Sequence, residues 1–180
     1  MRIIAGAWRG RPLLAPPGQA TRPTSDRARE ALFSMLQSRL GSFEGLEVAD
    51  LFAGTGALGL EALSRGAARC TFVETDRAAL DTLKRNVAAL QATERTDIRP
   101  QDATRLAGGP WHLVFLDPPY GSGLGAQTLS RLHAAGSLAP GALVSLETAL
   151  SEPVDVPELE VEATRIYGKA KLTLFRAPPG

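Results

Sequence analysis

From Glu47 onward the chain alternates short apolar runs with amphipathic stretches, and this alternation restricts its fold more than any other feature. The runs "EVADLF", "CTFVE", "TDIRP", "WHLVFLD" and "ALVSLE" read as strands. Between them lie a helix to Arg65, one through Leu90 and one about Leu129 to Leu132. Strands joined by helices pair in parallel, because the crossover must return to the same end of the sheet, so a largely parallel sheet covered by helices on both faces is predicted. The tail departs from the pattern. There "LEVEATRIYG" and "AKLTLFRA" read as two strands turning at Gly168 and Lys169, an antiparallel hairpin that finishes the sheet. One α/β domain suits a chain of 180 residues, and no repeat or low-complexity tract is visible.

The chain divides at about Gly41 to Gly45. Before that point, "RIIAGAWRGRPLLAPPG" reads as two short strands around a turn at Trp8 to Gly10, followed by a Pro/Gly loop. A helix then starts at a Thr24 or Ser25 cap, places Ala28, Leu32, Met35, Leu36 and Leu40 on one face, and stops at Gly41. Residues 1–44 are thus expected to form a small hairpin-and-helix extension and residues 45–180 the main domain.

Charge is distributed unevenly between these parts. Arg2, Arg9, Arg11, Arg22, Arg27 and Arg29 face Asp26 alone within residues 1–29, a net +5, while the remainder carries −4. Arginine outnumbers lysine, and a planar guanidinium suits phosphate forks and base stacking better than an ammonium does. With Trp8, Pro12 and Pro23 interleaved, the segment reads as an arm for a polyanion. No apolar run approaches the ~20 residues of a membrane span, and "MRIIAGAWRG" is too short for a secretory signal. A cytoplasmic location is therefore expected, with no membrane partner. Cys70 is the one cysteine and His112 and His133 stand apart, so neither a disulfide nor a metal site is expected.

In open parallel sheets ligands bind beyond the carboxyl ends of the strands, and four such ends carry unusual residues. "DLFAGTGALGLE" places Gly54, Gly56 and Gly59 between a strand and a helix, where backbone can approach a ligand closely. The same spacing serves a tight turn without ligand, or a nicotinamide dinucleotide. Glu74 stands fifteen residues beyond Gly59, placed to accept both hydroxyls of a ribose. Asp76 reads as a helix cap, and Asp102, after "IRPQ", as an acceptor for an adenine amino group or an exposed loop aspartate.

The fourth end is "LDPPY". It resembles the Asp/Asn-Pro-Pro-Tyr/Phe/Trp motif of class I S-adenosylmethionine-dependent methyltransferases acting on exocyclic amines of nucleic-acid bases. The chemistry accounts for the residue types. The amino lone pair is delocalised into the ring, so the nitrogen must be held in line by acceptors that accommodate the positive charge developing on it. Asp117 offers a carboxylate oxygen and Pro118 its carbonyl, while the Pro119 ring fixes the backbone that aims it. A paired base cannot enter such a site, so it is extruded, and Tyr120 offers a face on which it can lie.

Across nearly the whole chain, "MRIIAGAWRGRPL", "RPTSDRAREALFSML", "DLFAGTGALGLEALSRGA", "VETD", "LDPPY" and "YGKAKLTLFR" resemble the RsmD family of bacterial 16S ribosomal RNA methyltransferases. The resemblance implies a Rossmann-like class I methyltransferase fold with a seven-stranded, mostly parallel sheet, and S-adenosyl-L-methionine as cofactor. It implies methylation of the N2 amine of one guanine, in the small ribosomal subunit or a late assembly intermediate. By matching positions, Asp50, Phe52, Gly54, Gly56, Glu74, Asp102 and Ala103 would line the cofactor site and Asp117, Pro118, Pro119 and Tyr120 the base site. Arg2, Trp8, Arg9, Arg11, Arg22, Arg27 and Arg29 would face RNA. Ala7 departs from the pattern, standing where a basic residue is expected.

Other classes remain open at this point. A DNA adenine-N6 or cytosine-N4 methyltransferase would share the "DPPY" loop, although no extra domain for reading DNA is evident. A noncatalytic RNA-binding assembly factor on the same fold would have no need of Gly54, Gly56, Glu74 and Asp117. A dinucleotide oxidoreductase ranks last, for want of a hydride-transfer site.

Overall fold

The computed structural model describes residues 1–15 and 23–180, with only the backbone given for residues 23–25. Seven strands form one sheet in the order β3-β2-β1-β4-β5-β7-β6. Strands β1 (Glu47–Leu51), β2 (Arg69–Val73), β3 (Thr96–Arg99), β4 (Trp111–Leu116) and β5 (Leu138–Ala149) pair in parallel. Antiparallel β7 (Ala170–Arg176) inserts between β5 and the edge strand β6 (Glu160–Tyr167). The alternation and the closing hairpin expected from the sequence are therefore present. Strand β5 is longer than the expected "ALVSLE", because its start pairs with Trp111 and its end continues along β7.

Helices α2 (Ala57–Ser64), α3 (Arg77–Ala89) and α4 (Leu124–Ala134) connect the parallel strands. Asp76 caps α3, its side chain accepting the Ala79 N–H at 2.9 Å. Buried residues form two clusters. One contains Phe72, Leu83, Phe115 and Leu174; the other contains Leu51, Val114, Leu129 and Leu146.

The N-terminal segment packs into the first of these clusters through Ile3, Leu13, Leu32, Phe33, Leu36 and Phe43. Helix α1 (Pro23–Leu40) begins at Pro23, so Thr24 and Ser25 lie in its first turn instead of capping it. It ends as expected at Gly41, whose left-handed φ of 74° turns the chain and whose N–H returns to the Gln37 carbonyl at 2.9 Å.

The expected pair of short strands near the N-terminus is reduced to one antiparallel bridge, Arg2 with Pro12. The reason is competition for backbone donors. The N–H groups of Ile4 and Ala5 go to the Glu61 carboxylate at 2.9 and 3.1 Å, and that of Ala7 goes to the Ser64 carbonyl at 2.8 Å. Helix α2 thus takes the donors that would have extended a ladder.

Candidate active site

The sheet reverses its winding between β1 and β4, and strand register brings the motifs of the sequence into one row at that point. Leu51 lies beside Val73 and Leu116, and Leu116 beside Leu146. One residue further along, the row reads Glu74, Phe52, Asp117, Glu147 across β2, β1, β4 and β5. Three carboxylates, those of Glu74, Asp117 and Glu147, therefore share one row across the sheet. Among the described residues, no Lys or Arg forms an ion pair with any of them.

Above β1 the glycine loop is held by these side chains. Asp50 is 1% exposed and its Oδ2 accepts the Gly59 N–H at 2.9 Å. Its carboxyl is pushed up to about 7 by burial, with the Gly59 bond opposing and the charge of Glu74 adding. Asp50 thus supports the loop from beneath. Glu74 Oε1 accepts from Gly54 N at 2.7 Å, and Oε2 from Thr75 N and Asp76 N at 2.9 Å each. A carboxylate carries about four lone-pair positions, so acceptor capacity remains toward a ligand.

The glycines prove to differ from one another. A Cβ on Gly54 would meet nothing within 4 Å, and its φ of 59° leaves the backbone open to the crevice. A Cβ on Gly56 would fall 2.3 Å from Leu83 Cδ1, and one on Gly59 2.5 Å from Phe72 Cε1. Of the three, only Gly54 has open space where a side chain would stand, while Gly56 and Gly59 let α2 pack closely against α3 and β2. Phe52 follows β1 at a left-handed φ of 57°, half-buried. Beyond β3, Asp102 is exposed and caps a short 3-10 turn, its Oδ1 accepting Thr104 N at 2.9 Å and Thr104 Oγ1 at 2.8 Å. Those bonds hold its carboxyl below the usual range. Ala103 is buried at the start of the turn.

The "DPPY" loop crosses the end of β4. Pro118 is buried, and a Cβ on Gly125 of α4 would lie 3.1 Å from its Cγ, so the ring is seated against that helix. Ser122 Oγ donates to the Pro119 carbonyl at 2.6 Å, while among the described residues nothing donates to the Pro118 carbonyl. Asp117 keeps a solvent-facing surface and is enclosed on its other sides. Enclosure raises its carboxyl above the ordinary range, and the charge of Glu147 adds to this, then those of Asp50 and Glu74. Water at the open face opposes the first cause, so the neighbouring carboxylates supply the part that the fold secures. Tyr120, 51% exposed, donates from its hydroxyl to Glu147 Oε2 at 3.0 Å. Gly121 N donates to Glu152 Oε1 at 2.5 Å.

Glu147 and Glu152 were absent from the expected site. The run "ALVSLE" ends in Glu147, and counting register from "FLD" would have set that residue beside Asp117. The pairing of those strands is, however, a tertiary fact.

The basic arm divides into two groups. Arg2, Arg9, Arg11 and Arg27 are exposed. Arg29, expected to face RNA, is 5% exposed. It donates to the Arg2 carbonyl and to Asp26 Oδ1, and lies 4.0 Å from Glu61, so it belongs to the interior. Burial holds its pKa down, against the charges of Glu61 and Asp26. Trp8 is half-buried, with the Arg95 guanidinium 5.4 Å from its ring, and its backbone N–H donates to Ser64 Oγ. Arg22 lies outside the described residues. A buried asparagine joins arm to loop: Asn86 bonds Leu14 N and O at 2.8 and 3.1 Å and the Thr55 carbonyl at 3.1 Å.

A family model described as "Conserved hypothetical protein 95" matches residues 1–176. Ribosomal RNA small subunit methyltransferase D of Escherichia coli K12 is 44% identical over 180 residues, 98% of this chain and 89% of that protein. The protein of the same name from Haemophilus influenzae is 39% identical over 164 residues, 88% of this chain and 83% of its own length. Among solved structures, that of yhhF from Escherichia coli matches with a TM-score of 0.88 and 37% identity, covering 100% of this chain and 99% of that one.

Proposed function

The chain belongs to the family described as Conserved hypothetical protein 95, and on that premise we propose that it methylates small-subunit ribosomal RNA at the exocyclic N2 amine of one guanine. The observation that carries the reading is the row of Glu74, Phe52, Asp117 and Glu147 at the reversal of the sheet, beside a Pro118 carbonyl that no described residue uses.

S-adenosylmethionine, when bound, supplies an electrophilic sulfonium methyl. The residues present fit it. Gly54 leaves open space where a side chain would intrude, Glu74 retains acceptor capacity for ribose hydroxyls, and the uncompensated carboxylates suit a cationic ligand. Asp50 holds this loop in place through Gly59, and Asp102 with Ala103 forms the wall beyond β3.

Asp117 and the Pro118 carbonyl accept from the amine and aim its lone pair along the line of transfer. Both act by position and by preorganised negative charge, which offsets the positive charge developing on nitrogen. Tyr120 presents its ring to the extruded guanine. Arg2, Arg9, Arg11 and Arg27 take the phosphates of the flanking RNA, whose substrate form is the small subunit or a late assembly intermediate. This work belongs to the cytoplasm, and no helix among the described residues is long and apolar enough to cross a membrane.

The test is incubation with labelled methyl donor and, in parallel, unmodified small subunits, free 16S RNA and duplex DNA, with mapping of the modified base. Label at a guanine N2 of the subunit is expected; label confined to DNA overturns the reading. Asp117→Ala is expected to lower transfer by about 100-fold or more, with donor affinity within an order of magnitude of the parent. Full activity in that variant removes the proposed acceptor.

A further inference from the structure

The methyl-transfer reading leaves one carboxylate of the row without a task, that of Glu147. It follows β4 in the sheet on the side away from β1 and the glycine loop, so it flanks Asp117 where the body of a base must lie once its amine faces the donor. Its Oε2 accepts the Tyr120 hydroxyl at 3.0 Å, which fixes the carboxylate beside the ring assigned to the base. Among the described residues no donor reaches Oε1, and no Lys or Arg pairs with the group. The acids nearby are engaged within the protein: Asp50 with Gly59 N and Glu152 with Gly121 N. Lys171 on β7 donates to the Glu152 carbonyl at 2.7 Å and leaves Glu147 uncompensated.

The ring atom next to an exocyclic amine differs from base to base. In guanine the N2 amine lies beside N1–H, a donor. In adenine N6 lies beside N1, and in cytosine N4 lies beside N3, and each of those ring nitrogens carries a lone pair. A second acceptor next to the amine site is therefore complementary to guanine and to neither of the others. Opposite adenine or cytosine it would face a lone pair and lose water without gaining a partner, which costs more than the absence of one bond. Backbones of neighbouring strands lie about 4.8 Å apart, so side chains from β4 and β5 address adjacent groups on one base edge.

We propose that Glu147 is the residue that selects guanine: its Oε1 accepts N1–H of the extruded base while Asp117 and the Pro118 carbonyl accept from N2. This rests on the base-site reading given above and adds the choice of base to it. Asp117 and Pro118 can accept from any exocyclic amine, so they serve the transfer and leave the base open. Glu147 supplies the discrimination. Tyr120 then has two tasks, presenting its ring to the base and holding the selecting carboxylate at the base edge through its hydroxyl.

The experiment gives the full chain unmodified small subunits reconstituted with 16S RNA that carries either guanine or 2-aminopurine at the methylated position. The analogue keeps the amine but has a lone pair at N1 in place of N1–H. Wild type is expected to favour guanine by about 100-fold in kcat/KM. Glu147→Gln offers an N–H to that lone pair and an oxygen to the Tyr120 hydroxyl, so its preference should shrink to within about tenfold, with turnover of guanine lowered and that of the analogue kept or raised. A variant damaged only in folding or loop position loses both substrates alike, so an unchanged guanine preference overturns the proposal. Wild type alone gives a second measure, independent of whether the variant folds: equal turnover of the two bases by it overturns the proposal as well. Full activity of Asp117→Ala would sink the base-site reading instead, a result distinguishable from either of these.

Discussion

The carboxylate of Asp50 accepts the backbone N–H of Gly59 at 2.9 Å, joining the end of β1 to the first turn of α2 across the glycine loop. The bond lies inside the protein, since Asp50 is 1% exposed. A buried acid thus fastens the loop assigned to the cofactor.

This burial predicts a pH-dependent stability. Asp50 titrates at 3.8 ordinarily and at about 7 when folded, so between those values the native state binds more protons than the unfolded chain. Stability from this group is complete below the unfolded value and falls as pH rises through the folded one, by roughly 4 kcal/mol in total. Glu162, held low by its hydrogen bond to Arg176 and further by Arg39, contributes with the opposite sign at acid pH. Asp50→Asn keeps an acceptor for Gly59 and abolishes the titration. Denaturant unfolding of both proteins from about pH 4 to about pH 8 should show a flatter profile in the variant; parallel profiles would remove Asp50 as the cause.

The two glycines of the loop should fail in different ways. Gly54→Ala puts a methyl into open crevice at a φ of 59°, costing about 1 kcal/mol in backbone strain and weakening donor binding roughly tenfold. Gly56→Ala drives a methyl to 2.3 Å from Leu83, so its loss should be in stability, about 1–3 kcal/mol from overpacking plus strain. Calorimetric titration of the donor, read beside thermal unfolding, checks both. Equal effects on binding and stability at the two positions would refute the distinction.

Within the N-terminal arm, exposed and buried charges should separate by salt. Replacing Arg9, Arg11 and Arg27 with alanine should weaken RNA binding and reduce the slope of log affinity against log salt by about 2, given ~0.7 per phosphate contact on single strands. Glu61→Ala withdraws the acceptor of Ile4 N, Ala5 N and Arg65 Nε and strands Arg29 in the interior. It should cost about 3–5 kcal/mol in stability while leaving the salt slope as it was. A triple variant with an unaltered slope would return those arginines to an ordinary solvated surface.

Most of the architecture was legible because periodicity is a local property. Five parallel strands, their helices and the closing hairpin follow from runs such as "CTFVE" and "WHLVFLD", in which each residue's face is set by its neighbours. The ends of those strands could be read as well, since ligands gather where such sheets open and "DLFAGTG", "VETD" and "LDPPY" occupy those places. Charge at Arg2, Arg9, Arg11 and Arg27 likewise stayed on the surface that its polarity suggests.

What the sequence determined by itself is therefore the set of elements and the residue types at their tips. Which tips touch was decided in three dimensions. Glu147 reaches Asp117 only because β5 lies beside β4 in a particular register, and Arg29 lost its place among the RNA-facing residues because α2 lies under α1, near Glu61. Gly56 and Gly59 look like Gly54 in the chain, yet Leu83 and Phe72 pack where their side chains would stand, while the space beside Gly54 is open. The physical reason is common to all three. Periodicity reports which way a side chain points along its own element, whereas contact and desolvation depend on the partner facing it, often from a distant part of the chain.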